Sequence, residues 1–227
     1  TSSQAFVDLD TILRECNFIS LHVPLTNAGR HPTFHLLDAE RLLRVSGGCL
    51  LVNAARGKVV DNQALLNVLK QRNDLLVFLD TWENEPNPLR ELLLRVDLAT
   101  PHIAGYSVEG RLRGTQMVLD AVAGHFGRSS SWHMTQQLPP DQELIVHAPD
   151  SSLSAWHNLF QQHLNIWRDH EALIAGGNLD DESFAQHFDA LRRVYPDRLE
   201  YERFIVQQQN SGLAAEALQE LGFRTGA

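Results

Sequence analysis

The apolar positions of the first half of the chain fall into short runs separated by periodic, capped segments. Leu9, Ile12 and Leu13 share a helical face behind Asp8, so the pattern predicts a helix from Leu9 to Cys16. Phe18-Ile19-Ser20-Leu21-His22-Val23 predicts a strand closed by Pro24. Asp38 predicts a cap for the helix Ala39 to Val45, which Gly47-Gly48 stops. Cys49 to Val52 is almost wholly apolar, the mark of a strand buried on both faces of a parallel sheet. Asp61 caps a predicted helix Asn62 to Arg72, with Leu65, Leu66 and Leu69 inward. Leu75 to Leu79 and Val96 to Thr100 predict two more strands, with a short helix Leu89 to Arg95 between them. Ser107 then caps a long helix to about Phe126. Strands and helices alternate over short connections, which predicts βαβ units and a parallel sheet, an α/β architecture.

The pattern changes after Phe126. Gly127-Arg128-Ser129-Ser130-Ser131 and Pro139-Pro140 read as a linker. Beyond it, Glu143 to His147 and Tyr201 to Val206 predict strands, and Ser154 to Ala175, Asp181 to Val194 and Ser211 to Leu221 predict helices. The expected organisation is therefore 1–126 with the long helix at its end, a linker 127–140, and a small α+β domain 141–227.

Bulk composition narrows the function classes. A formal charge of −9 disfavours a nucleic-acid backbone as partner, and equally an anionic membrane surface. No apolar run approaches the ~18 residues of a membrane span, and no signal peptide pattern is present, so the expected location is cytoplasmic. Cys16 and Cys49 sit in apolar settings without zinc spacing and read as free thiols of a reducing compartment. The chain opens Thr-Ser-Ser-Gln, without Met, which raises the expectation of a longer protein.

Chemistry concentrates at the carboxyl ends of three consecutive predicted strands. Asn53-Ala54-Ala55-Arg56-Gly57 supplies a cation, Asp80-Thr81-Trp82-Glu83-Asn84-Glu85-Pro86 supplies carboxylates, and Thr100-Pro101-His102 supplies an imidazole. Each residue alone also reads as ordinary: a surface arginine, a structural histidine, a solvated glutamate, a capping aspartate. Together they fall in the crevice where an open parallel sheet presents its functional groups. A carboxylate beside an imidazole orients the ring and fixes its tautomer. A guanidinium holds a carboxylate by two parallel hydrogen bonds. That set suits oxidation of a 2-hydroxy acid, with His102 taking the hydroxyl proton. The hydride then needs an acceptor the side chains do not provide, which implies a nicotinamide cofactor. The remaining histidines form no convincing ligand pairs; His31 and His35 are four apart but Pro32 interrupts them, and no metal is expected.

These three motifs, in this order and spacing, resemble the D-2-hydroxyacid dehydrogenase family over roughly residues 5 to 126. The resemblance implies an incomplete Rossmann-type doubly wound sheet, NAD as cofactor, and NAD-dependent oxidation of a small 2-hydroxy acid. It implies Arg56, Glu85 and His102 as the catalytic residues, with Arg56 on the substrate carboxylate and Glu85 partnering the His102 acid/base. Asp80 would hold the nicotinamide carboxamide, and Ala54, Ala55, Arg56 and Gly105 would approach the cofactor. Tyr106 would touch the substrate; with the following Ser107-Val108-Glu109-Gly110 and the tail domain it points to a phosphorylated four-carbon acid and a homodimer formed through the C-terminal domain.

Two departures qualify the likeness. Val23 stands where relatives often carry a polar threonine near the cofactor. No G-x-G-x-x-G phosphate loop occurs in the 227 residues. By the family's strand order, Phe18 to Val23 would pair with a second strand and Cys49 to Val52 with a first, both preceding Thr1, which leaves unpaired edges and a gap between them. The chain alone is thus expected to be nearly inactive. Another D-2-hydroxyacid dehydrogenase and a non-catalytic NAD-sensing, dimerising module remain alternatives.

Overall fold

Local chemistry starts each helix of the N-terminal half where the sequence places it. In the computed structural model, which describes residues 6–147, 152–209 and 213–226, α1 spans Leu9–Glu15, α2 Ala39–Arg44 and α3 Asn62–Gln71. Each is capped by its aspartate: Asp8 accepts from Thr11 N at 2.7 Å, Asp38 from Arg41 N at 3.0 Å and Asp61 from Ala64 N at 2.8 Å. Leu65, Leu66 and Leu69 of α3 are buried as expected. The opening Thr-Ser-Ser-Gln lies outside the described residues.

The strands are β1 Phe18–Leu21, β2 Leu50–Asn53, β3 Leu76–Leu79 and β4 Leu98–Ala99, with the short helix α4 Arg90–Leu93 between the last two. They form a parallel sheet in the order β1-β2-β3-β4. Here one expectation fails. β1 and β2 pair directly, Phe18 with Leu50 through Leu21 with Asn53, so no gap separates them. A right-handed βαβ crossover through α2 brings consecutive strands side by side without an intervening partner. The burial pattern also differs from strands buried on both faces. Ile19, Leu21, Leu51, Val77 and Leu79 are buried, while Leu50, Val52 and Phe78 are half-buried and Phe18 and Leu76 exposed, so one face of the sheet packs more completely than the other.

Ser107 caps the long helix α5, Val108–His125, by accepting from Gly110 N at 3.0 Å. Strand β5 is Gln142–His147. The expected helix Ser154 to Ala175 is two: α6 Ser152–His163 and α7 Ile166–Ala175. Then follow α8 Asp181–Arg193, β6 Phe204–Gln209 behind a single 3₁₀ turn Tyr201–Arg203, α9 Ala215–Glu220 and β7 Arg224–Thr225. The expected start of the last helix at Ser211 lies outside the described residues.

The chain divides into two units, but not at the expected linker. The first comprises Thr1–Ala104 with Trp167–Val194; the second comprises Gly105–Ile166 with Tyr195–Ala227. The long helix therefore belongs to the second unit, and most of α7 with α8 returns to the first. The physical reason is apolar: Leu173, Phe184 and Phe188 are fully buried in the same cluster as Leu92 and Leu93 of α4. Arg90 lies 3.3 Å from the centroid of the Phe184 ring, a cation–π contact. His170 Nδ1 accepts from the Ala99 amide at 3.0 Å, which satisfies a backbone donor of the short edge strand β4.

In the second unit, β5, β6 and β7 form a parallel sheet in that order. Its core is Leu144, Val146, Ala155, Leu159, Leu199, Phe204, Val206, Leu213, Leu218 and Phe223. Among the described residues no helix is long and apolar enough to cross a membrane.

Candidate active site

The carboxyl ends of β2, β3 and β4 carry the loops that hold the candidate residues. Leu79, the last residue of β3, is paired with Ala99 of β4, so the loops that follow leave the sheet side by side. The Asp80 backbone ties them at once: its amide donates to Asn53 O at 3.0 Å and its carbonyl accepts from His102 N at 2.8 Å. Three loops far apart in sequence are thereby fixed to one another by backbone hydrogen bonds.

Glu85 and His102 meet as the sequence predicts. His102 Nδ1 lies 2.7 Å from Glu85 Oε2, with side chains 31% and 21% exposed. An ionised carboxylate only accepts, so Nδ1–H donates and Nε2 is left as the basic nitrogen. The other carboxylate oxygen, Oε1, accepts from Trp82 N at 2.8 Å, which stops Glu85 from swinging away. Trp82 in turn donates its ring Nε1–H to Thr100 O at 3.0 Å and is buried, so it staples the glutamate loop to the histidine loop. His102 itself sits at φ +55°, a left-handed backbone uncommon for residues other than glycine, which histidine enters more readily than most. Strain of that kind concentrates at functional sites.

Asp80 is more constrained than its sequence position suggests. It is buried, and its Oδ1 accepts from Thr100 Oγ1 at 2.6 Å and Ile103 N at 2.8 Å while Oδ2 accepts from Ala104 N at 3.0 Å. Its first job is to shape the loop that presents His102. A carboxylate offers about four lone-pair positions. One acceptor position on Oδ2 therefore remains, which fits one N–H of a carboxamide.

Arg56 is exposed, with Nη1 donating to Ala55 O at 2.6 Å. Its loop is held from below by buried Asn53, whose Nδ2 donates to Arg56 O at 3.1 Å and whose Oδ1 accepts from Ala55 N at 3.1 Å. Gly57 explains how this loop reaches the others: a Cβ there would lie 1.9 Å from Trp82 O. Only glycine lets the arginine loop abut the Trp82–Glu83 backbone. Ala54 is half-buried and Ala55 buried on this loop. Val23 is partly buried and packs against the core. Gly105 and Tyr106 belong to the second unit, where Tyr106 meets Tyr195 edge-on at 5.9 Å.

Sequence alone assigns no role to Trp82, Asn53 and Glu83, and His35 enters it only as a neighbour of His31. Glu83 accepts from Asn62 N at 2.9 Å and is bonded to His35 Nε2 at 2.8 Å. His35, Asp61 and Glu83 present ligand-type atoms within 4.8 Å of one another, but hydrogen bonds already engage both oxygens of Glu83 and the capping oxygen of Asp61.

Residues 1–104 match the family model described as D-isomer specific 2-hydroxyacid dehydrogenase, NAD binding domain. The chain is 38% identical over 230 residues to an erythronate-4-phosphate dehydrogenase of Shewanella loihica, covering 96% of the chain and 57% of that protein. It is 40% identical over 207 residues to the protein of the same name from Shewanella woodyi, covering 86% and 53%. A third, from Pseudomonas fluorescens, is 40% identical over 219 residues, covering 94% and 57%. The chain thus spans little more than half the length of these relatives.

Proposed function

We propose, from the premise that this chain is a homologue of the erythronate-4-phosphate dehydrogenases whose residues 1–104 are those of the D-isomer specific 2-hydroxyacid dehydrogenase NAD-binding domain, that it carries the proton-transfer half of such an enzyme. The reaction is NAD-dependent oxidation of 4-phosphoerythronate to its 2-oxo acid, a step of pyridoxal phosphate (vitamin B6) biosynthesis. The observation that carries the reading is the Glu85–His102 bond of 2.7 Å at the carboxyl end of a parallel sheet, with Glu85 locked by Trp82.

In this reading each residue has one task. Arg56 pairs with the substrate carboxylate through two parallel hydrogen bonds. His102 Nε2 receives the proton of the 2-hydroxyl as the C2–H bond breaks. Glu85 keeps Nδ1 protonated and stabilises the imidazolium that forms. NAD, when bound, supplies the hydride acceptor. Asp80 would hold its carboxamide through the remaining acceptor position on Oδ2, and the backbones of Ala54, Ala55 and Arg56 would approach it. The second unit pairs two chains into a homodimer.

The test is a substrate panel with NAD⁺, run on a chimera that joins the N-terminal portion of the Shewanella loihica relative to this chain. The expected preference is for 4-phosphoerythronate over 3-phosphoglycerate and D-lactate. A preference for D-lactate would assign the site to another member of the family. Sedimentation of the chain tests the dimer; a folded monomer at all concentrations would overturn it.

A further inference from the structure

We propose that His35 is a positioning residue for the Glu85–His102 pair, acting through Glu83. His35 lies outside all three loops that carry the candidate catalytic residues. Its ring is placed between two carboxylates: Nε2 is 2.8 Å from Glu83 Oε1, and Nδ1 is 3.4 Å from Asp61 Oδ2. With Nε2–H donating to Glu83, the ring ties the turn that starts at Trp82 to the His35 loop, and the carboxylate of Asp61, the cap of α3, lies beyond its other nitrogen. The backbone holds the ring there from below, since His35 N donates to Lys58 O at 2.8 Å, and Phe34 stacks on it at 4.1 Å.

The same turn is gripped from a second side. Asn62 N donates to Glu83 Oε2 at 2.9 Å and Asn62 Oδ1 accepts from Glu83 N at 3.1 Å. Glu83 thereby makes two hydrogen bonds with Asn62 at the start of α3 and one with His35. Two residues further on, Glu85 must keep one oxygen on Trp82 N and the other on His102. A shift of the turn by a fraction of an ångström breaks one of those bonds.

Backbone strain supports the assignment. Among the described residues, the non-glycine residues with positive φ are His35 at 48°, Asn84 at 60° and His102 at 55°. Asn84 lies between Glu83 and Glu85. The three strained positions therefore fall on one contact chain, from His35 through the glutamate turn to His102, where strain is retained because the surrounding bonds over-determine it.

The inference rests on reading Glu85 and His102 as the proton-transfer pair, but its test reads geometry and not turnover, so an inactive chain leaves it standing. Long-range ¹⁵N–¹H NMR of the imidazoles reports which nitrogen of His102 carries the proton. In the wild-type chain, with neutral rings, Nδ1 is the protonated nitrogen. His35→Gly removes the ring and relieves the left-handed backbone. His35→Asn, which tolerates that backbone but is too short to reach Glu83, serves if the glycine variant does not fold. Either is expected to convert His102 to a mixture of tautomers and to speed hydrogen exchange of the Trp82 amide at least tenfold, with the β3 amides unchanged. His35→Gln, which keeps a donor for Glu83, restores both signals. Folded variants that keep the wild-type tautomer and Trp82 protection would overturn the proposal, because Asn62 alone would then hold the turn.

Discussion

Glu85 and His102 are separated by 17 residues yet share a 2.7 Å hydrogen bond, and the second oxygen of Glu85 is held by the Trp82 amide. The pair is therefore set before any substrate arrives. Glu85→Gln keeps the size but removes the charge that stabilises an imidazolium. It is expected to lower kcat by about 10²-fold, within the range of a general-base device, with KM little changed. Steady-state kinetics of a chimera that supplies a relative's N-terminal portion check this; an unchanged kcat would remove Glu85 from the mechanism.

Asp80 makes a separate prediction because its carboxylate serves the fold. In Asp80→Asn an NH₂ replaces one oxygen, and a donor then faces Ile103 N and Thr100 Oγ1 or Ala104 N. A buried donor left without a partner costs about 1–3 kcal/mol. Urea unfolding should show a loss of that size, and a variant as stable as the wild type would mean that the carboxylate does not hold the loop.

Gly57→Ala places a methyl 1.9 Å from Trp82 O, against backbone and not a movable side chain. The arginine loop has to retreat from the glutamate turn. In the same chimera, activity is expected to fall at least tenfold while the far-UV circular dichroism stays the same. Full activity in Gly57→Ala would contradict the close approach of the two loops.

The local features of this molecule were legible because their partners are local. Asp8, Asp38, Asp61 and Ser107 each bond a backbone amide three residues on, and such spacing is visible in a sequence. Glu85 and His102 were legible as strand-end residues. Asp80 as a loop anchor was not, since its three donors lie 20 to 24 residues later and two are backbone amides with no sequence signature. Nor was the return of α7 and α8 to the first unit. Leu173, Phe184 and Phe188 give an ordinary amphipathic pattern, which says that a face is buried but not against what. The direct β1–β2 pairing contradicts a gap inferred from strand order alone.

The second unit carries a pH-dependent element. Burial, the largest influence, holds His163 below its ordinary value of 6.5, against the smaller opposing effect of its bond to Leu199. Its Nε2–H donates to Leu199 O at 3.0 Å, and Nδ1 is buried with no hydrogen-bond partner among the described residues, in a ring that meets Tyr201, Phe204 and Phe223. The unfolded chain thus binds a proton that the folded chain resists, so stability is fully present above about pH 6.5 and declines as pH falls below it. Unfolding free energy measured from pH 7.5 to 5 is expected to fall more steeply in the wild type than in His163→Phe. Equal slopes would show that His163 is not the responsible group.

The central claim is that His102 takes the substrate proton. It is tested most directly by NADH formation from 4-phosphoerythronate, measured in this chain and in a chimera that joins the N-terminal portion of the Shewanella loihica relative to it. The chimera is expected to turn over, and His102→Ala in it to lose about 10²–10⁴-fold in kcat. A folded chimera without activity, or a His102→Ala variant with a near-normal rate, would contradict the account.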